Sequence, residues 1–92
     1  MVEVLIRRGD AMLAVGDISA ARLFYGRAAA AGSGQAMLAL GKSHDPLFLA
    51  GIGARGMAGD AATAVEWYRR ALAQGIEEAR ERLALHGARP EG

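Results

Sequence analysis

The chain has no cysteine, only two prolines and only five aromatic residues. Without cysteine there is neither a disulfide framework nor a zinc ribbon, and either a reducing or an oxidising compartment fits. Four valines and four isoleucines beside so few aromatics are too little β-branched and aromatic bulk for a sandwich core. Neither sign of charge dominates. Eleven basic and ten acidic residues leave +1, so no field suited to nucleic acid or to a membrane surface is implied. Long apolar runs are also missing: the uncharged stretch around residues 46–54 falls well short of the ~20 residues that cross a bilayer. Residues 1–8 carry their basic residues after the apolar ones and lack a long apolar segment, unlike a signal peptide. The expectation is a soluble chain, cytoplasmic by default, or envelope-associated if it is excised from a larger protein.

What is abundant is smallness. Of 92 residues, 21 are alanine and 13 glycine, against 27 large apolar side chains. Alanine is the best helix former and glycine the usual helix terminator, so the composition predicts several short, closely packed helices in one domain.

The chain also repeats itself. A shift of 43 residues places Gly16-Asp17 on Gly59-Asp60, Ala21 on Ala64, Phe24-Tyr25 on Trp67-Tyr68 and Arg27-Ala28 on Arg70-Ala71. Ala30, Gly32, Ala36 and Leu40 fall on Ala73, Gly75, Ala79 and Leu83, giving ten identities in 27 positions. Alanine excess alone does not align Gly-Asp, aromatic-Tyr and Arg-Ala together, and repeats of this length signal stacked supersecondary units.

Each unit reads as a helix pair. Val2, Leu5, Ile6, Gly9, Met12 and Leu13 have the spacing of one helical face over residues 2–15. Gly16-Asp17 ends that helix and caps a second over residues 18–31, which Gly32-Ser33-Gly34 closes. A shorter helix runs from Gln35 to Ser43. Asp45-Pro46 starts a further segment to about Ile52, since aspartate caps and proline tolerates the first helical position. Gly51, Gly53, Gly56 and Gly59 predict a loop. Asp60 caps a helix over residues 61–74, Gly75 ends it, and residues 76–86 form a last helix. That helix is charged except for Ile76, Ala79 and Leu83, with Glu78 and Arg82 an i, i+4 pair. Such a polar outer face suits the end of a stack. The division is one helical-repeat domain over 1–86, with repeat one at 3–34 and repeat two at 35–75, an insertion near 45–55, a capping helix at 76–86, and a frayed tail at 87–92.

From Gly56 the residues Gly-Met-x-x-Asp-x-x-x-Ala-x-x-Trp-Tyr-Arg-Arg-Ala-x-Ala-Gln-Gly, then Ala79 and Leu83, resemble the SEL-one-like repeat, a relative of the tetratricopeptide repeat that is widespread in bacterial proteins. The first unit is more tetratricopeptide-like, with Gly9, Ala21, Tyr25 and Ala28 at that family's small and large packing positions. The resemblance implies an all-α fold, a short right-handed α-solenoid of antiparallel helix pairs, used as a non-catalytic scaffold or adaptor for protein–protein interaction. It implies small residues (Gly9, Ala21, Ala28, Gly41, Ala64, Ala71) where helices cross, and large ones (Tyr25, Trp67, Tyr68) filling the holes between pairs. One departure stands out: Gly41 to Ala64 spans 23 residues where Gly9 to Ala21 spans 12, so about 11 residues carrying Leu47, Phe48 and Leu49 are inserted.

Chemistry-bearing motifs are sparse. Gly51-Ile-Gly53-Ala-Arg-Gly56 satisfies GxGxxG, but a dinucleotide site needs a preceding strand inside a βαβ unit, and Pro46-Leu-Phe-Leu-Ala reads as helix. A small ligand- or nucleotide-binding domain on this loop is therefore the alternative reading, beside a purely structural or oligomerisation segment of a larger protein. His44 and His86, each at a helix end, suit the terminal carbonyls and dipole. Neither joins a nucleophile or enough ligands for a metal, so no catalytic residue, metal or cofactor is expected. Arg7-Arg8, Arg69-Arg70, Arg80 and Arg82 are balanced by acids and read as solvated faces.

The expected partner is a protein or peptide of unknown identity, with a homo-oligomer as a further possibility. The resemblance places a binding groove on the first helix of each pair, at Glu3, Ile6, Asp10, Leu13, Leu38 and Lys42, with Glu78 and Glu81 at its end. Leu47, Phe48 and Leu49 form the second candidate, either an end plug or an apolar interface. Inward packing is the preferred expectation for them.

Overall fold

The computed structural model describes residues 1–54 and 57–91, which form six helices and, among these residues, no strand. They are α1 (Val2–Ala14), α2 (Ile18–Ala30), α3 (Gly34–His44), α4 (Pro46–Gly51), α5 (Ala61–Ala73) and α6 (Glu78–Leu85). The expected helices are all present, with ends moved by a residue or two. Ser33 caps α3 and Gly34 opens it, where the sequence assigns both to the close of the preceding helix. Glu77 precedes α6, whose regular part begins later than expected. Arg55 and Gly56, the end of the expected GxGxxG loop, and Gly92 of the expected tail lie outside the described residues.

Starts and stops are locally encoded. The carboxylates of Asp17, Asp45 and Asp60 and the hydroxyl of Ser33 each accept an N–H from the first turn that follows. Five helices end on a glycine of positive φ. At Gly16, for example, φ is 83°, its N–H donates to Leu13, and the next N–H donates to Met12. Gly32, Gly53, Gly75 and Gly87 repeat that geometry. Only α3 ends differently: Pro46 cannot continue the helix, and Asp45 swings to extended backbone as the cap of α4. Gly59, the repeat mate of Gly16, has another task. A Cβ there would stand 2.8 Å from the Pro46 nitrogen and 2.9 Å from the His44 carbonyl oxygen, so it is small because the loop lies against the α3–α4 corner.

Helix α1 packs on α2, α2 on α3, α3 on α5 and α5 on α6, while α4 leans on the end of α3. The result is a slab of 31 × 30 × 16 Å. Helix α3 serves two cores. Its Ala36 and Leu40 join Ala21, Tyr25, Ala28 and Ala29, and its Leu38 joins Ala64, Tyr68, Ala71, Ala79 and Leu83. The alanines expected at helix crossings are fully covered: Ala21, Ala28, Ala64 and Ala71 all have no exposed surface. Gly9 and Gly41 face tyrosine rings so closely that an added Cβ would fall within 2.5 Å of Tyr25 Cε1 at Gly9, and would overlap the Tyr68 ring at Gly41.

The large fillers need one correction. Tyr25 and Tyr68 are buried, but Trp67 is only half-buried. It lies against the core cluster of α1–α3, with the Arg70 guanidinium 4.8 Å from its ring centroid. A single residue step explains the difference: Tyr68 sits on the α5 face that meets α3, and its neighbour is rotated about 100° toward the edge.

Candidate functional site

A cavity of about 220 Å³ opens between α1, α3 and α4. Helix α1 supplies Ile6, Asp10 and Leu13, which sit at the i, i+4, i+7 spacing of one face. Helix α3 supplies Gln35, Leu38, Ala39 and Lys42 by the same rule, Phe48 comes from α4, and Glu78 from the start of α6. Five of the six groove candidates therefore line one cavity. Glu3 does not. It lies a turn further back, exposed, 3.9 Å from the N-terminal amine. Glu81 lines another, open cavity along α6 with Glu77, Arg80, Arg82 and Leu85, which has Glu78 in common with the groove.

Gln35, Ala39 and Tyr25 are lining residues that the sequence reading passes over. Gln35 and Ala39 are one turn before Leu38 and Lys42 respectively, so the helical period alone would have found them. Tyr25 could not be found this way, because it reaches the cavity from α2 by lying across Gly9.

The three inserted apolar residues part company. Leu49 is buried, Leu47 is half exposed, and Phe48 is half-buried at the cavity wall. Lys42 Nζ lies 5.8 Å and the Arg82 guanidinium 5.4 Å from the Phe48 ring centroid, so two cations cover it. Both cations also approach Glu78: Lys42 Nζ stands 2.6 Å and Arg82 Nε 4.0 Å from Glu78 Oε2. The Lys42 hydrogen bond, helped by the charges of Lys42 and Arg82, outweighs partial burial and lowers the Glu78 pKa.

Two tyrosine–aspartate pairs flank this region. Tyr25 donates its hydroxyl to Asp10 Oδ1 at 2.6 Å, and Tyr68 donates to Asp45 Oδ2 at 2.6 Å. Burial, then the adjacent carboxylate, pushes both phenol pKa values up, so both hydroxyls stay protonated donors. The aspartates differ. Asp45 has no exposed surface, and its Oδ1 accepts from the Leu47 and Phe48 N–H groups and lies 2.9 Å from His86 Nε2. His86 Nε2 makes no well-aligned hydrogen bond there, so the contact is a close approach of ring and carboxylate. Burial opposes the Asp45 anion, yet Tyr68, His86 and Leu47 together hold its pKa below the usual value. Asp10 is instead exposed and opens onto the groove.

His44 and His86 do sit at helix ends, but Asp45 is engaged by His86 and not by its chain neighbour. Burial, reinforced by the charge of Arg22 and opposed by that of Asp60, lowers the His44 pKa. Arg22 donates to the Ser43 carbonyl at 2.6 Å and so satisfies the end of α3. The segment before Gly51 is the helix α4, whose end at Gly53 has the geometry of the other helix stops. No helix among the described residues is long and apolar enough to cross a membrane.

A second cavity, of about 560 Å³, continues past α1 and shares Asp10 and Leu13 with the first. Its other walls include Ile18 at the start of α2 and Ile52 to Ala54 after α4. The inserted segment thus borders α1 on both sides of Leu13. Comparison with protein-family models, with curated proteins and with solved structures finds no match.

Proposed function

We propose that this chain is a non-catalytic protein–protein interaction module of the SEL-one-like/tetratricopeptide-like type, an adaptor or scaffold that holds a peptide segment of its partner. In this reading α1/α2 and α3/α5 are the two helix pairs of a short right-handed α-solenoid, α6 is its cap, and α4 is an inserted wall. The supporting observation is the cavity to which Ile6, Asp10 and Leu13 of the first pair and Leu38 and Lys42 of the second contribute together. An apolar floor with a few fixed polar groups is the usual composition of a site that binds by shape and orientation.

The test is a random peptide library displayed on phage and panned against the chain, followed by nitrogen-15 NMR with synthetic copies of the selected peptides. Shifts at the Leu13, Leu38 and Gln35 amides are expected. Selected peptides that perturb only residues remote from this cavity would overturn the reading. A thermal scan with NAD or ATP is expected to leave the melting temperature unchanged; a rise would favour a nucleotide site.

A further inference from the structure

The groove reading leaves open which peptides fit, and Asp10 narrows the choice. We propose that Asp10 is a fixed anionic anchor, so that the groove takes a peptide presenting a lysine or arginine between apolar side chains. This inference rests on the peptide-binding reading above.

The carboxylate is held, not floppy. Its Oδ1 accepts the Tyr25 hydroxyl at 2.6 Å, and the Tyr25 ring is buried against the backbone of Gly9. Asp10 itself stays exposed and lies where the two cavities meet. Apolar side chains flank it on both sides, with Ile6, Leu38 and Phe48 in one cavity, Ile18 and Ile52 in the other, and Leu13 common to both. Among the described residues no cation stands within 4.0 Å of Asp10, while the neighbouring Lys42 is already engaged by Glu78.

The companion pair shows what an aspartate looks like when the fold uses all of it. Tyr68 holds Asp45 by the same bond, but there both oxygens are spent inside, Oδ2 on Tyr68 and Oδ1 on two helix N–H groups with His86 close by. Asp10 has the same support from beneath and presents its remaining acceptor capacity outward. Any ligand that fills both cavities must cover this carboxylate. A purely apolar peptide would strip its water and return nothing, and an acidic peptide would add repulsion from Asp10 and Glu78. A basic side chain restores the lost hydration with a charge-assisted hydrogen bond, while its apolar neighbours enter the two cavities.

The experiment uses three fluorescein-labelled peptides of sequence Leu-Leu-X-Leu-Leu with Ser-Gly flanks, X being arginine, alanine or glutamate. Binding is followed by anisotropy at low and high salt, with NMR shifts at Leu13 and Leu38 locating it. The arginine peptide is expected to bind about fivefold or more tighter than the alanine one, and the glutamate peptide most weakly. Added salt should shrink the preference. Asp10→Asn, which keeps an acceptor for Tyr25, should make the arginine and alanine peptides equal. Equal binding of the three by the unaltered chain, or a preference that survives Asp10→Asn, overturns the anchor and leaves the groove reading standing. If that variant folds poorly, equal binding by the unaltered chain still overturns the anchor, and an arginine preference lost in Glu78→Gln overturns it as well, by assigning the preference to the other carboxylate of the groove. No shift at Leu13 or Leu38 with any peptide overturns both.

Discussion

The Tyr68 hydroxyl donates to Asp45 at 2.6 Å across 23 residues of sequence, and neither side chain has any exposed surface. Tyr25 makes the same bond to Asp10, but there the acceptor is exposed. Removing the two hydroxyls should therefore have unequal effects. Tyr68→Phe leaves a buried carboxylate oxygen without a donor and should cost about 1–3 kcal/mol. Tyr25→Phe should cost under ~1 kcal/mol, because water can replace the lost donor. Urea unfolding of both variants measures the difference; equal losses would contradict the account.

Acid should act through the same carboxylate. Burial disfavours the Asp45 anion, but Tyr68, His86 and Leu47 more than compensate, so its folded pKa lies below its unfolded one. The unfolded chain then binds the proton more readily. The contribution to stability is present above the ordinary carboxylate range and is lost as pH falls through the folded value. Glu78, lowered chiefly by Lys42, adds in the same direction. Unfolding midpoints should fall between neutrality and about pH 3, and Asp45→Asn should start lower and decline less steeply. An unchanged slope in that variant would remove Asp45 from the explanation.

Three helical glycines should separate by what faces them. Gly41→Ala drives a methyl into the buried Tyr68 ring, and Gly9→Ala does the same to Tyr25. Each should cost about 1–3 kcal/mol through overpacking. Gly26, within α2, has open space where a Cβ would go, so Gly26→Ala should stabilise by about 0.5–1 kcal/mol. Melting temperatures of the three variants check both signs at once.

The helices were legible because their signals are short-range. Aspartate and serine caps, terminating glycines and the 43-residue recurrence each involve neighbouring residues or a fixed shift. The family resemblance is what points to α1 and α3, and the helical period then puts Ile6, Asp10 and Leu13 on one face and Leu38 and Lys42 on another, which line one cavity. What stayed hidden depends on contacts between distant residues. Asp45 reads as a cap beside His44, and nothing local says that Tyr68 and His86 will close over it. Trp67 and Tyr68 are adjacent and similar in bulk, and only the direction of the α5–α3 approach decides which is buried. Glu3 shares a face of α1 with Ile6 and Asp10 but is not among the residues that line the cavity with α3 and α4.

Within the insertion, Leu49 and Leu47 should behave oppositely. Leu49 is 3% exposed and Leu47 51%. Leu49→Ala should cost about 2–4 kcal/mol, whereas Leu47→Ala should stay within ~0.5 kcal/mol. Chemical denaturation distinguishes them, and a large effect at Leu47 would place the α4 register wrongly.

The five glycine helix stops bear on how quickly the chain folds. Each reversal is specified by the few residues around it and closes with hydrogen bonds back into the helix just finished. Most successive helices then meet their neighbours across short connections, so little entropy is spent in bringing distant parts together. Such a chain belongs among those that fold in microseconds to milliseconds. The slow step should be the one exception, the closure of α5 onto α3 past the inserted α4, where the tyrosine must find an aspartate on the far side of the longest connection.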